Sequence, residues 1–402
     1  MSLTNTPSSE RIHIGFFGLR NAGKSSLVNA VTGQELSVVS DVLGTTTDPV
    51  KKAMELLPLG PVVIIDTPGF DDVGTLGEKR VMKTRKVLAS TDIAVLVVDS
   101  LKGITSNDKT LISLFKERNI PYIIAYNKAD LAKVNTENPN EISVSAQSLK
   151  NISELKELMG NLLSKKQEKY ILKDLVKEGD RVVLVTPIDA SAPKGRLILP
   201  QQQTLRELLD LHCTAVVCQP QELKSTIEAF SQKPGLVITD SQVFGKVSAD
   251  TPPDILLTSF SILFARYKGE LETLVKGAAA VKNLRDGDKV LISEGCTHHR
   301  QCGDIGTVKL PKWLTDFTGK SLEFSFTSGG DFPEDLSDYA LVVHCGGCML
   351  NNREMAYRIN SAKAEGKPIV NYGVLIAYIH GILERSLSPF ENIRKILEDN
   401  YA

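Results

Sequence analysis

Apolar residues along this chain gather into short runs, and several of these runs stop at a glycine, an acidic residue, an asparagine or a cysteine. Ile12, Ile14 and Phe16 alternate with smaller or polar neighbours, the period of a strand, and lead into Gly18-Leu-Arg-Asn21-Ala22-Gly23-Lys24-Ser25; over 26–31 the spacing turns helical. Val62-Val-Ile-Ile65 and Tyr122-Ile-Ile-Ala-Tyr126 are unbroken enough to predict buried strands of a parallel sheet, ending in Asp66-Thr-Pro-Gly69 and Asn127-Lys128-Ala-Asp130. A strand over 142–144 and a helix over 152–166, with Ile152, Leu155, Leu158, Met159 and Leu162 on one face, close this first domain, and the charged stretch 165–169 is a linker.

Beyond the linker, strand and helix patterns keep alternating. Arg181-Val-Val-Leu-Val185 predicts a strand, followed by a helix over 204–211, a strand over 215–217, a helix over 222–230 and strands over 236–238 and 255–257. The last third repeats the theme: strands at Lys289-Val-Leu-Ile292, Tyr339-Ala-Leu-Val-Val343 and Pro368-Ile-Val370, and a helix over 351–364. The expected fold class is therefore α/β: a P-loop GTPase domain over 1–168, then two smaller α/β domains with largely parallel sheets over 174–265 and 266–402.

Composition adds bounds. A chain of 402 residues suggests about two to four domains. The net charge of −1 and the lack of a basic block longer than Lys165-Lys166 disfavour a nucleic-acid partner. The first dozen residues are polar, and no apolar run nears the roughly 18 residues of a membrane span, so a cytoplasmic protein without a membrane partner is expected. Thiols stay reduced in that compartment, which favours metal over disulfides where cysteines sit at ligand spacing.

The first domain carries the chemistry of a nucleotide switch. G-x4-G-K-S between a strand and a helix is a phosphate loop: Asn21, Ala22, Gly23, Lys24, Ser25 and Ser26 cradle phosphates, with Lys24 on the terminal groups and the Ser25 hydroxyl on Mg2+. Within Gly44-Thr45-Thr46-Thr47, Thr45 and Thr46 are switch-loop candidates, with Thr46 offering a second hydroxyl to Mg2+. Asp66 would hold a magnesium-bound water and the Gly69 N–H would meet the γ-phosphate. Asn127, Lys128 and Asp130, then Ser145 and Ala146, fit a guanine site, which favours GTP and GDP over adenine nucleotides. Lys24, Asn21, Thr46 and Gly69 are the expected catalytic set. Phe70 stands where some GTPases place a water-orienting glutamine, so slow hydrolysis is expected; Glu78 is the nearest acidic helper candidate, but Gly77-Glu-Lys-Arg80 reads rather as a solvated helix start.

The middle segment shows no comparable motif, and a role in holding subunits together follows from that absence. Cys213 and Cys218 read as buried core, with Cys213, Ala215 and Val217 on one face of a strand. The segment 195–200 reads as part of a long loop.

Two strand exits in the last third deliver soft ligands: Cys296-Thr-His298, and His344-Cys345-Gly-Gly-Cys348. Glycines between Cys345 and Cys348 let both thiols turn onto one centre. Cys296, Cys345 and Cys348 with His298 or His344 would make a zinc site; the same cysteines would hold an iron-sulfur cluster with one iron open. Spacing alone leaves zinc and iron-sulfur even. Cys302 and Asp304 lie in the same loop as Cys296.

The runs GLRNAGKSSLVNAV and GTTTDP resemble the TrmE-Era-like GTPases, some of which hold K+ with an asparagine at the position of Asn21; the same residue can instead simply shape the loop. Such a domain ahead of a motif-poor segment and a C-x-H … H-C-x-x-C constellation resembles the HydF family of FeFe-hydrogenase maturation GTPases. The resemblance implies a 4Fe-4S cluster on Cys296, Cys345 and Cys348, a homodimer through the middle domain, and a scaffold or carrier that loads a di-iron precursor with radical-enzyme maturases and delivers it to apo-FeFe-hydrogenase. GTP hydrolysis would then be slow, K+-stimulated and regulatory. The fourth cluster ligand stays open among His298, His344, Asp304, water and a precursor group. A ribosome- or tRNA-linked GTPase with a structural zinc domain is the competing reading, and a GTP-regulated electron-transfer protein is a third.

Overall fold

The computed structural model describes residues 6–35, 49–70, 75–136, 138–163, 169–188, 197–295 and 304–401, at 75–82 and 398–401 by their backbone alone. The chain forms two compact units, Met1–Gln167 with Leu350–Glu354, and Glu168–Met349 with Met355–Ala402.

In the first unit, β1 (Ile12–Phe17), β2 (Val50–Leu56), β3 (Gly60–Asp66), β4 (Ile93–Asp99), β5 (Tyr122–Asn127) and β6 (Glu141–Ser143) form one sheet in the order β2-β3-β1-β4-β5-β6. Only β2 runs antiparallel, against β3. Every residue of β4 is buried, as a central strand covered on both faces requires. One face packs on Leu27, Val28, Val31, Leu155 and Met159, the other on Val87, Leu88, Leu111 and Phe115. Phe16 pairs with Asp66 and Val98 with Tyr126, so the carboxyl ends of β1, β3, β4 and β5 share one edge.

The second unit holds two further sheets. β7 (Arg181–Val185), β8 (Thr214–Cys218), β9 (Leu236–Thr239) and β10 (Leu256–Ser259) order as β10-β9-β7-β8. β11 (Lys289–Glu294), β12 (Glu323–Ser328), β13 (Leu341–His344) and β14 (Ile369–Asn371) order as β12-β11-β13-β14. Every pairing in both is parallel. The two sheets share one winding: the first strand lies inside, the second outside it, and the third on its other flank. The strand order therefore reverses between β7 and β9, and again between β11 and β13, the points where doubly wound folds open a crevice at their carboxyl ends. One hydrophobic cluster, running from Ile171 to Leu397 in sequence, takes in residues of both sheets.

Several local expectations are corrected. Leu199 and Pro200 open the helix Leu199–Asp210 instead of lying in a loop: proline is preset for a first helical turn, and the Gln201 side chain accepts the Ile198 N–H at 3.1 Å. Residues 195 and 196 lie outside the described residues. Cys213 and Cys218 are buried, as expected, on opposite faces of the β7–β10 sheet, whereas Val217, expected on the buried face with Cys213, is 44% exposed because β8 is an edge strand. Among the described residues no helix is long and apolar enough to cross a membrane.

Candidate functional site

The phosphate loop is shaped by close backbone approaches. Gly18 sits at φ +141° with Val97 O only 2.3 Å from where a Cβ would stand, and Gly23, at φ +87°, leaves 2.2 Å between such a Cβ and Asn127 Nδ2. Asn21 is exposed and left-handed at φ +60°, a conformation asparagine tolerates better than most residues. Lys24 opens the helix Lys24–Thr32; its buried ammonium donates to Leu19 O at 2.7 Å, within the loop. Ser25 Oγ donates to Asp66 Oδ2 at 2.7 Å, while Asp66 Oδ1 is buried without a hydrogen-bond partner. A hydroxyl thus meets a carboxylate that keeps one oxygen in reserve, the donor chemistry that Mg2+ requires. Gly69 follows β3, and the Phe70 N–H donates to Gly18 O at 3.1 Å.

On the base side, Asn127 acts as a strut. Its Nδ2 donates to Ala22 O at 3.0 Å and Gly23 O at 3.4 Å, and its Oδ1 accepts the Ala146 N–H at 3.1 Å. It therefore ties the phosphate loop to the Ser145–Ala146 loop, a role the motif alone did not reveal. Buried Ser145 accepts the Ser148 N–H through Oγ. Lys128, left-handed at φ +67°, pairs with Asp99 Oδ2 at 2.6 Å, and Asp130 is exposed. Sequence reasoning missed Asp99; its signal was an acidic residue closing the apolar run 93–98. Burial alone would raise the Asp99 carboxyl, but the Lys128 hydrogen bond and charge and the Leu101 N–H together hold it below the usual carboxylate range. Thr45 and Thr46 lie outside the described residues, as does the side chain of Glu78, which falls in the helix Thr75–Ser90.

In the second unit, Cys345 and Cys348 leave the carboxyl end of β13, where the strand order reverses. Cys296 and His298, with Cys302, lie outside the described residues. The stem that leads to Cys296 is described: β11 ends at Glu294, and the Gly295 N–H points at Cys345 Sγ, 3.0 Å away. Cys345 returns a hydrogen bond from its own N–H to Ser293 O at 3.1 Å, so the exits of β11 and β13 are stitched together. Both thiols are half-buried and free, and burial pushes both up. Gly347 sits at φ +64°, where a Cβ would lie 2.5 Å from Met355 Sδ.

His344 is buried, and burial first, then the Arg358 charge, push its imidazole down to about 4 against the opposing bond to the Cys345 carbonyl. The ring is neutral near pH 7. Its Nδ1 faces the Cys345 carbonyl, which can only accept; Nδ1 carries the proton and Nε2 keeps its lone pair, without a hydrogen-bond partner. Tyr372 OH donates to Glu294 Oε1 at 3.3 Å, and burial above all raises the phenol. Asp304 accepts the Thr307 N–H as a helix cap. Among the described residues no group of three or more His, Cys, Asp or Glu is gathered to hold a metal ion. Thiolate sulfur is a donor that soft metals select, and Cys345 and Cys348 are the described residues that supply it; His344 does not join them in such a group.

Comparison with known proteins divides the chain in the same direction. Residues 272–389 match the family model described as the hydrogen maturase F tetramerization domain, 171–269 match its dimerization domain, and 13–128 match the 50S ribosome-binding GTPase model. GTPase Der of Maridesulfovibrio salexigens is 39% identical over 132 residues, 32% of this chain and 29% of that protein. The tRNA modification GTPase MnmE of Nitrosomonas europaea is 34% identical over 124 residues, 31% of this chain and 27% of that protein. The chain thus spans less than a third of the length of these relatives. Among solved structures, Era in complex with MgGDPNP and a 16S ribosomal RNA fragment matches with a TM-score of 0.34 and 18% identity, over 52% of this chain and 91% of that one. With two maturase models in tandem behind a GTPase match, the chain belongs to the hydrogen maturase F family and carries a P-loop GTPase domain.

Proposed function

We propose that the protein is a GTP-hydrolysing scaffold and carrier in FeFe-hydrogenase maturation. The observation that carries this reading is the stitched exit of β11 and β13, which presents Cys345 and Cys348 at a topological switch point in a chain of the maturase family. Cys296, which follows Gly295 in sequence, would be the third thiolate. A 4Fe-4S cluster held by these three cysteines would supply an iron open to an exchangeable ligand, and so a docking point for a di-iron precursor. His344 Nε2 and His298 are candidates for the remaining position. Apo-FeFe-hydrogenase and radical-enzyme maturases are the proposed partners, and the segments matching the dimerization and tetramerization models support an oligomer, a homodimer at least.

In the first unit, Lys24, Ser25 and Asp66 would take the phosphates and Mg2+ of GTP, with Thr46 and Gly69 on the γ-phosphate side. Asn127 holds the loop, and Asp130 would accept the guanine N–H donors. Turnover is slow because Phe70 offers no group to orient water, and Asn21 is the proposed K+ ligand; equal rates in sodium and potassium would remove that assignment.

Anaerobic loading with iron and sulfide tests the central claim. The wild-type chain is expected to gain broad brown absorbance and, once reduced, the EPR signal of a 4Fe-4S cluster, while Cys345→Ser loses both. Unchanged iron and sulfide in that variant would overturn the cluster site. Stoichiometric zinc together with salt-sensitive RNA binding would favour the ribosome- or tRNA-linked reading, which the maturase matches over 171–389 count against.

A further inference from the structure

Met349 separates Cys348 from a short segment, Leu350–Glu354, that belongs to the first unit although the rest of that unit ends at Gln167. Its anchor is Asn351, 4% exposed. Asn351 Nδ2 donates to Ser90 O at 2.7 Å and lies 3.4 Å from Asp92 Oδ2, which also accepts the His13 N–H at 3.0 Å. Further along, Arg353 Nη1 donates to Arg118 O at 3.1 Å and Nη2 to Asn119 O at 2.7 Å. The other end of the Asn351 amide faces its own helix: Oδ1 accepts the Glu354 N–H at 3.0 Å and so caps the helix Asn352–Ala364.

The acceptors in the first unit share a character. Ser90 ends the helix Thr75–Ser90, and Arg118 and Asn119 directly follow the helix Ser106–Glu117. The last carbonyls of a helix have no partner within it and carry the negative end of its dipole, so an amide and a guanidinium suit them. Two helix ends of the GTPase domain thus receive donors from a segment remote in sequence. The helix Thr75–Ser90 is also the next element after β3 and the Asp66-Thr-Pro-Gly69 turn, which is expected at the γ-phosphate. Arg118 Nη1 donates to Arg85 O at 3.2 Å, which ties the two helices to each other. In GTPases the γ-phosphate orders the switch segments and its loss releases them. A helix of 16 residues carries a shift at its first turn to its last, because packed rigid elements transmit displacement.

We propose that Asn351 and Arg353 are positioning residues through which the state of the nucleotide reaches the cysteine turn. With the γ-phosphate in place, the helix Thr75–Ser90 is held, its last carbonyl holds Asn351, and the segment leading out of Cys348 is fixed. Hydrolysis releases the helix and slackens that hold. By linkage, whatever factor the nucleotide exerts on binding at the turn, a group bound there exerts on the nucleotide. The inference rests on the nucleotide reading given above and is independent of what the cysteines bind.

The test is hydrogen exchange of the full chain, read by mass spectrometry over 345–354 with a saturating non-hydrolysable GTP analogue or with GDP. Exchange over this stretch is expected to be about threefold or more slower with the analogue. Asn351→Ser keeps a capping oxygen for the helix Asn352–Ala364 but loses the amide that reaches Ser90 O; it is expected to bind the analogue and to exchange alike with both nucleotides. Arg353→Met keeps the stem of the side chain without its donors and is expected to shrink the difference. It decides the matter if Asn351→Ser lacks native far-UV circular dichroism. Equal exchange with both nucleotides in the wild-type chain overturns the inference, as does the full wild-type difference in a folded variant. If the wild-type chain does not bind the analogue, the nucleotide reading itself fails, and this inference with it.

Discussion

Gly23 and Asn127 are coupled so closely that neither has room to change. A methyl group on Gly23 would meet the Asn127 amide at 2.2 Å from a backbone angle that disfavours any side chain, and Asn127→Ala would release Ala22 O, Gly23 O and the Ala146 N–H together. Each replacement is expected to weaken binding of a fluorescent GTP analogue by about tenfold or more, about 1.4 kcal/mol; an unchanged Kd would refute the strut. Asp99 and Lys128 predict an acid dependence. The Asp99 carboxyl is held low in the folded chain, so the pair stabilises above the ordinary carboxylate range and the contribution is lost as pH falls through the folded value. Asp99→Asn should cost about 1 kcal/mol at pH 7, with the difference from wild type closing in acid. Urea unfolding at both pH values checks this, and a constant difference would rule it out.

Among the elements, the helix Leu271–Ala279 and β14 meet at backbone distance. A Cβ on Gly277 would lie 1.9 Å from Ile369 O, so Gly277→Ala, which would strengthen an isolated helix by about 1 kcal/mol, is expected to destabilise this unit by about 3 kcal/mol. A thermal melt no lower than wild type would contradict that packing. Two of the elements that sequence patterning missed lack a clean pattern, whereas β4, an unbroken apolar run, was simply not read. β12 is an edge strand of mixed polarity, Glu-Phe-Ser-Phe-Thr-Ser, with Phe326 40% exposed, and so lacks a clean buried alternation. The helix Phe260–Lys268 is buried on several sides and shows no single apolar stripe. The strands β3, β5, β7, β11 and β13 were legible from nearly continuous apolar runs, and β1 from the alternation of Ile12, Ile14 and Phe16 ahead of Gly18.

For the whole molecule, two compact units predict two unfolding transitions. A non-hydrolysable GTP analogue at about 100 times its Kd should stabilise one transition by about 2.7 kcal/mol and leave the other in place. Calorimetry with and without the analogue decides, and an equal shift of both transitions would count against separate units. The sequence by itself determined the phosphate loop, the guanine motif, the maturase resemblance and the supply of soft donors, because each is carried by a few contiguous residues whose chemistry needs no partner to be recognised. Only the tertiary structure decided that Asn127 braces a loop 105 residues away, that the β11 and β13 exits are stitched where the strand order reverses, and that Lys268 reaches across 79 residues to Gly347. Those relations depend on strand order and helix packing, which local periodicity does not encode.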